Sequence, residues 1–157
     1  MNDKTIATLN DLIETSKDGE KGFALAANAT HEPDLNSVFR TGEESCRSAA
    51  VELQDQVRLL GGNAEEAGTM MAAAHRGWIS IKAAISFRDD VAILEECERG
   101  EDYAKARYAN ALKSDLPESA RTVVERQYRD VVATHDRVRD LRNRFRDKGP
   151  RAIRSNV

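Results

Sequence analysis

The sequence predicts an all-α chain: a four-helix bundle in which a long crossover containing a short helix joins helices two and three. Three observations carry this. The 157 residues include 22 Ala against 3 Pro and 9 Gly, a balance that favours helix over sheet because Ala costs least inside a helix while Pro and Gly cost most. Apolar residues recur in three- and four-residue steps along four long segments, which keeps one face of each helix inward. The connections between those segments run short, long, short. The length suits one domain with its own core, read as a bundle over 1–148 followed by a short basic tail over 149–157.

The first helix spans 3–29 on the stripe Ile6, Leu9, Ile13, Ser16, Glu20, Phe23 and Ala27, and stops before His31, Glu32 and Pro33. The second begins after Pro33 and turns Leu35, Val38, Phe39, Gly42, Cys46, Ala49, Leu53, Val57 and Leu60 inward, until Gly61 and Gly62 end it. Residues 63–85 are too long for a hairpin loop and carry Met71, Ala74, Trp78, Ile81 and Ile85 at helical spacing, so a short helix is expected within them. Ser86 with Asp89 resembles a capping box, which restarts the chain as helix three. That helix runs to about Ser114 with Phe87, Asp90, Leu94, Cys97, Glu101, Ala104, Tyr108 and Ala111 on one side. After the Asp115–Leu116–Pro117 turn, helix four runs from Glu118 to about Asp147 with Val124, Gln127, Val131, Thr134, Val138, Leu141 and Phe145 inward. Gly149 and Pro150 mark its end.

Four helices of about 25 to 30 residues each span about 40 Å and so match in length. A connection as long as 63–85 can travel the whole bundle and let helix three run parallel to helix two, the ferritin-like arrangement with one crossover. Trp78 anchors the crossover helix to the bundle's flank or end.

Charge and motifs exclude more than they identify. With 24 Lys and Arg against 27 Asp and Glu, the formal charge is -3, which gives no global attraction to nucleic acid or anionic membrane. The one basic patch runs from Arg137 to Arg154, and Asp136, Asp140 and Asp147 interleave with it, so no nucleic-acid partner is expected. No stretch reaches the roughly 18 apolar residues of a spanning helix, and the start has no basic segment leading into an apolar one. A cytoplasmic protein without membrane contact is expected. Cys46 and Cys97 lie in no CxxC pair and read as reduced thiols. No GxSxG, P-loop, GxGxxG or HExxH pattern supports a hydrolase, NTPase, dinucleotide or metalloprotease reading.

What bears on function is the set of polar residues on inward stripes, since an unpaired buried carboxylate is costly. Counting from the shared helix ends brings Glu20, Glu43, Glu98, Glu101 and His135 near one level. Carboxylates with a histidine are the ligand chemistry of a di-metal site for iron, manganese or zinc. Glu20 and Glu101 would be its central ligands. The same residues also suit a metal-free polar layer closed by hydrogen bonds, or carboxylates at the bundle edge reaching water. Tyr108 and Gln127 are placed to satisfy the buried carboxylates. His75 reads as a satisfied histidine of the crossover, His31 as a loop residue, and Met70 and Met71 as packing.

The ordered segments Asp18-Gly19-Glu20-Lys21-Gly22-Phe23, Leu60-Gly61-Gly62, His75-Arg76-Gly77-Trp78, Glu98-Arg99-Gly100-Glu101-Asp102 and Leu116-Pro117 resemble the bacterial ferritin-like four-helix-bundle proteins of unknown function. These are small cytoplasmic proteins regarded as stress-associated. The resemblance covers about Asp3 to Phe145 and implies the ferritin-like bundle without implying an established activity. The Glu-x-x-His pairs of ferritins and rubrerythrins are missing at both positions. The combined expectation is a homodimeric, non-enzymatic structural or interaction module related to stress. A divergent carboxylate metalloprotein with ferroxidase or peroxide-scavenging chemistry is the alternative. Leu12, Leu25, Leu59, Ile93 and Val132, apolar and off the main stripes, are expected at a subunit interface or under the crossover.

Overall fold

A computed structural model of the chain describes residues 2–64, 78, 80–86 and 89–148. They form α1 (Asn2–Ala29), α2 (Pro33–Leu59), α3 (Ile81–Ser86), α4 (Asp90–Leu112) and α5 (Glu118–Lys148). No helix among the described residues is long and apolar enough to cross a membrane. Met70, Met71, Ala74, His75, Phe87 and the basic tail 149–157 lie outside the described residues.

The termini follow from local chemistry. Pro33 opens α2 with its φ already helical. Gly61, at φ 81°, closes the same helix while its N–H donates to the Arg58 carbonyl at 3.0 Å. The start of α4 differs from the expected capping box. Asp89 is the cap, its carboxylate accepting from the Val91 N–H at 3.0 Å. Ser86 instead donates back to the Lys82 carbonyl at the end of α3. An ionised carboxylate two residues before a free N–H is the stronger acceptor and also suits the positive end of the helix.

The four long helices stand in a square. α1 packs on α2 and α4, and α5 packs on α4 and α2, which sets α2 and α4 on one diagonal. Side-chain contacts fix the directions. Thr30 after α1 donates to Asp90 at the start of α4, 3.0 Å away, and Ser119 near the start of α5 donates to Gln56 near the end of α2. All neighbours are therefore antiparallel, and α2 and α4 run parallel. The end of α2 and the start of α4 thus lie at opposite ends of the bundle, as the connection lengths predicted.

Two apolar clusters fill the interior. One holds Phe23, Leu35, Phe39, Trp78, Ile81 and Ile93 among others, on the side where α3 packs against α1 and α4. The other holds Leu9, Leu12, Ile13, Leu53, Val57 and Val124 at the opposite end. Leu12 and Ile93 are fully buried within these clusters and so are not free for a subunit interface, while Leu25 is partly buried and packs against the first. The first helix buries a wider face than its stripe, α1 adding Thr15, Gly19 and Gly22 to the predicted line, while Cys46, Ala49 and Leu60 of the α2 stripe and Val131, Thr134 and Phe145 of the α5 stripe are only partly buried.

Candidate functional site: a buried polar chamber

Between the two clusters lies a chamber of about 30 Å³ to which all four long helices contribute. That is room for about two water molecules. Ser16 and Gly19 of α1, Cys46 of α2, Glu101 and Tyr108 of α4, and Gln127 of α5 face it, and Trp78 closes it on the crossover side.

Glycines shape this region. A Cβ on Gly19 would stand 2.7 Å from the Cys46 sulfur, one on Gly42 would stand 2.8 Å from the Phe23 ring, and one on Gly22 or Gly100 would stand 2.3 Å from the Trp78 indole. Each glycine costs its helix about 1 kcal/mol relative to Ala. In exchange the indole lies directly on the backbones of α1 and α4, edge-on to Phe23 with ring centroids 5.3 Å apart.

The wall towards the second cluster is a closed hydrogen-bond chain. The Tyr108 hydroxyl donates to Gln127 Oε1 at 2.8 Å. Its single proton is thereby committed, so Ser16, 3.2 Å away, donates to the phenol oxygen. The Gln127 amide donates to the Ala49 carbonyl at 3.2 Å and to Glu52 at 3.3 Å. Burial pushes the Tyr108 phenol far above its ordinary range, against the pull of the Ser16 hydrogen bond. Tyr108 and Gln127 thus satisfy each other and Ser16 rather than the carboxyl of Glu101.

Glu101 is 3% exposed, and among the described residues no hydrogen bond or ion pair reaches its carboxyl. Burial, and secondarily the charge of Asp102, raises its pKa to about 8, so it is largely protonated at neutral pH. Burial likewise pushes both thiols, Cys46 and Cys97, well above their ordinary value, with Glu101 adding to the effect.

Of the five residues expected to gather at one level, the structure brings only Glu101 to the chamber. Glu20 receives a 2.8 Å hydrogen bond from Arg47 on the outside of the α1–α2 pair, and Glu43 pairs with Arg40 and Arg47 on the same surface. Glu98 is paired with Arg142 across the α4–α5 seam. His135 stands between Asp102 (2.7 Å) and Asp136 (3.1 Å), and its hydrogen bond, with Arg139 beside it, holds the Asp136 carboxyl below its usual range. No group of three or more His, Cys, Asp or Glu side chains among the described residues is disposed to hold a metal ion. The axial level was nevertheless legible. Gly19 beside Glu20 touches Cys46, and Val131 and Thr134 line the same chamber. The error was rotational, because α1 turns Gly19 and Gly22 inward where the stripe placed Glu20.

Two buried groups were missed. Asp18 is buried in the middle of α1. Glu96, off the inward line of α4, accepts from the Ser80 N–H at 3.1 Å and pairs with Arg99, pinning the entry to α3 against α4. The available signal for the chamber was the set of mid-helix glycines at 19, 22, 42 and 100, which helix propensity alone disfavours.

The chamber has a neighbour. An open groove of about 690 Å³ runs between α2 and α5, lined by hydroxyls such as Ser37 and Thr41 with Arg40, Glu44 and Arg126 along its rim. Groove and chamber share Ser45, Ala49 and Asp130 as lining residues, so the seam between α2 and α5 is the boundary between chamber and solvent.

No curated protein matches this sequence at a significant level. A family model described as a domain of unknown function, DUF2383, matches residues 4–114, which takes in α1 to α4 and ends before α5. The match covers more than half of the chain, from the first helix through the glycines that seat Trp78 and the buried Glu101, and so the chain belongs to the DUF2383 family.

Proposed function

We propose that this chain is a non-enzymatic, stress-related binding module of ferritin-like type, a homodimer in the cytoplasm, with the chamber as its functional centre. The observation that supports this reading is how the polar groups are closed. Ser16, Tyr108 and Gln127 form a complete chain, and Glu20, Glu43, Glu98 and His135 are occupied by Arg47, Arg142, Asp102 and Asp136. The one remaining carboxyl of the five could bridge two metal ions but cannot by itself fill their coordination shells. The stress association and the ferritin-like kinship come from the resemblance in the ordered motifs. The homodimer is assigned to the outer side of α2, where Val51 and Leu59 are 52% and 76% exposed.

The alternative metalloprotein draws on one feature, the unpartnered Glu101 deep in the bundle. For iron, manganese or zinc to bind as a pair, Glu20 and Glu43 would have to leave Arg47 and swing inward. Metal analysis of protein purified without chelator separates the two readings. Below about a tenth of an equivalent of any transition metal, unchanged by iron loading, is expected. Near-stoichiometric metal lost in Glu101→Gln would overturn the non-enzymatic reading. Sedimentation equilibrium tests the dimer: a monomer mass at all concentrations would remove it, and Leu59→Glu is expected to dissociate it.

A further inference from the structure

We infer that the chamber is a binding site for a small ammonium cation, ammonium itself or methylammonium, held by the Glu101 carboxylate and reached through the α2–α5 seam. This rests on reading the chamber as the functional centre and adds the chemical class of its ligand.

Size and donor count make the first argument. A volume of about 30 Å³ excludes metabolites of ordinary size and admits a group comparable to one or two waters. The Ser45 and Thr134 hydroxyls and the Cys46 thiol line the chamber, and three further hydroxyls around it offer lone pairs only. The Tyr108 proton goes to Gln127 and the Ser16 proton to Tyr108, while the Thr15 hydroxyl donates to the Asp11 carbonyl at 2.8 Å. Each of these oxygens keeps lone pairs but has spent its proton. Glu101, once ionised, is acceptor-only. The complement of such a site is a species that only donates, which describes an ammonium group.

Charge makes the second argument. The titratable groups whose charge bears on Glu101 are Asp102 and Tyr108 of its own helix, Cys97 one turn before, and Cys46 from α2. None of them carries positive charge in any protonation state. Glu20 of α1 acts on Cys46 but is held by Arg47 outside. Asp130 of α5 lines both groove and chamber, and His135 of α5 is directed to Asp102. A cation entering by the groove would leave Arg40 and Arg126 at its rim, pass Asp130, and supply the countercharge that Glu101 lacks, as the carboxyl proton leaves to solvent. The aromatic wall formed by Phe23, Trp78 and Tyr108 is the other recurrent partner of ammonium groups.

Trp78 is the single tryptophan and lines the chamber, so its emission reports occupancy. The experiment titrates the full-length protein at constant ionic strength with ammonium chloride, methylammonium chloride, potassium chloride and tetramethylammonium chloride, following Trp78 fluorescence, with the thermal midpoint as a second readout. Saturable changes are expected with the first two only, with potassium at least about tenfold weaker for want of N–H donors and tetramethylammonium excluded by size. Ammonium should raise the thermal midpoint relative to tetramethylammonium, because a ligand bound only by the native state stabilises it. In Glu101→Gln the ammonium response should fall at least about tenfold. Identical responses to all four salts in the wild-type protein would overturn the inference without recourse to any variant, as would potassium binding as tightly as ammonium or an undiminished response in a folded Glu101→Gln. Such a failure with metal-free protein would leave the non-enzymatic module standing, whereas stoichiometric transition metal would remove that reading first.

Discussion

On one side of the chamber, Leu9, Leu12, Ile13, Leu53, Val57 and Val124 fill the space between helices almost entirely with aliphatic side chains. On the other, the helices give up Cβ atoms at Gly22, Gly42 and Gly100 so that Phe23 and Trp78 can press against backbone. An aliphatic cluster is made of many small, replaceable contacts, each adjustable by rotamer. The glycine-seated cluster depends on a few large rings, each with one place to go, so it should be sensitive both to atoms removed and to atoms added.

The largest expected effect separates the two by deletion. Trp78→Ala should cost about 4 kcal/mol, against about 3 kcal/mol for Leu53→Ala in the aliphatic cluster. Urea unfolding followed by circular dichroism measures both, and equal costs would erase the distinction. Next comes the chamber between them. Because the native pKa of Glu101 is raised to about 8, the native state holds a proton that the unfolded chain releases above its ordinary value near 4.5. Stability from this source therefore falls as pH rises from about 4.5 and levels off above about 8. Glu101→Gln removes that penalty and should stabilise the protein by on the order of 2–3 kcal/mol at pH 8, with the gain vanishing near pH 4. A pH-independent gain would show that Glu101 is not held protonated.

A smaller effect tests addition. Gly100→Ala improves helix propensity by about 1 kcal/mol, yet its methyl would stand 2.3 Å from the Trp78 ring, and a net loss of about 1–3 kcal/mol is expected. A net gain in thermal midpoint would mean that the indole moves freely and the seat is loose. Smallest of all is Arg47→Ala, which removes the partner of Glu20 and Glu44 at a half-exposed site and leaves Glu43 to Arg40. Its shift of the urea midpoint should be the smallest of these variants and shrink further in high salt. A larger shift would argue that these carboxylates do more than face water.

The same contrast explains what could be read in the chain. Periodicity sufficed for the aliphatic side, where Leu9, Ile13, Leu53, Val57 and Val124 were all expected inward and are buried. The long 63–85 connection was enough to set α2 parallel to α4, because a chain must travel the bundle to begin at the other end. Counting residues from shared ends found the level of the chamber, since axial rise accumulates steadily at 1.5 Å per residue. Rotation did not follow, because each residue turns the helix by 100° and a one-residue shift in the assumed face exchanges Gly19 for Glu20. Hydrophobicity assigns glycine to neither face, so Gly19, Gly22 and Gly100 fell off the predicted stripes, whereas Gly42 was read inward and is buried. Glu98 and His135 went astray for a related reason: long or planar side chains at a stripe's margin can reach along the surface to Arg142 and Asp102.

The placement of Trp78 has a consequence in time as well as in space. α1 with α2, and α4 with α5, are helical hairpins whose partners meet after short loops, whereas the contacts that join one hairpin to the other close over a much longer stretch of chain. Loop-closure entropy favours the near encounters over the distant ones. The indole is seated on Gly22 of one hairpin and Gly100 of the other, so it acquires its native surroundings only when the hairpins meet. In a refolding experiment its emission would clock that meeting, while far-ultraviolet dichroism would clock the helices themselves.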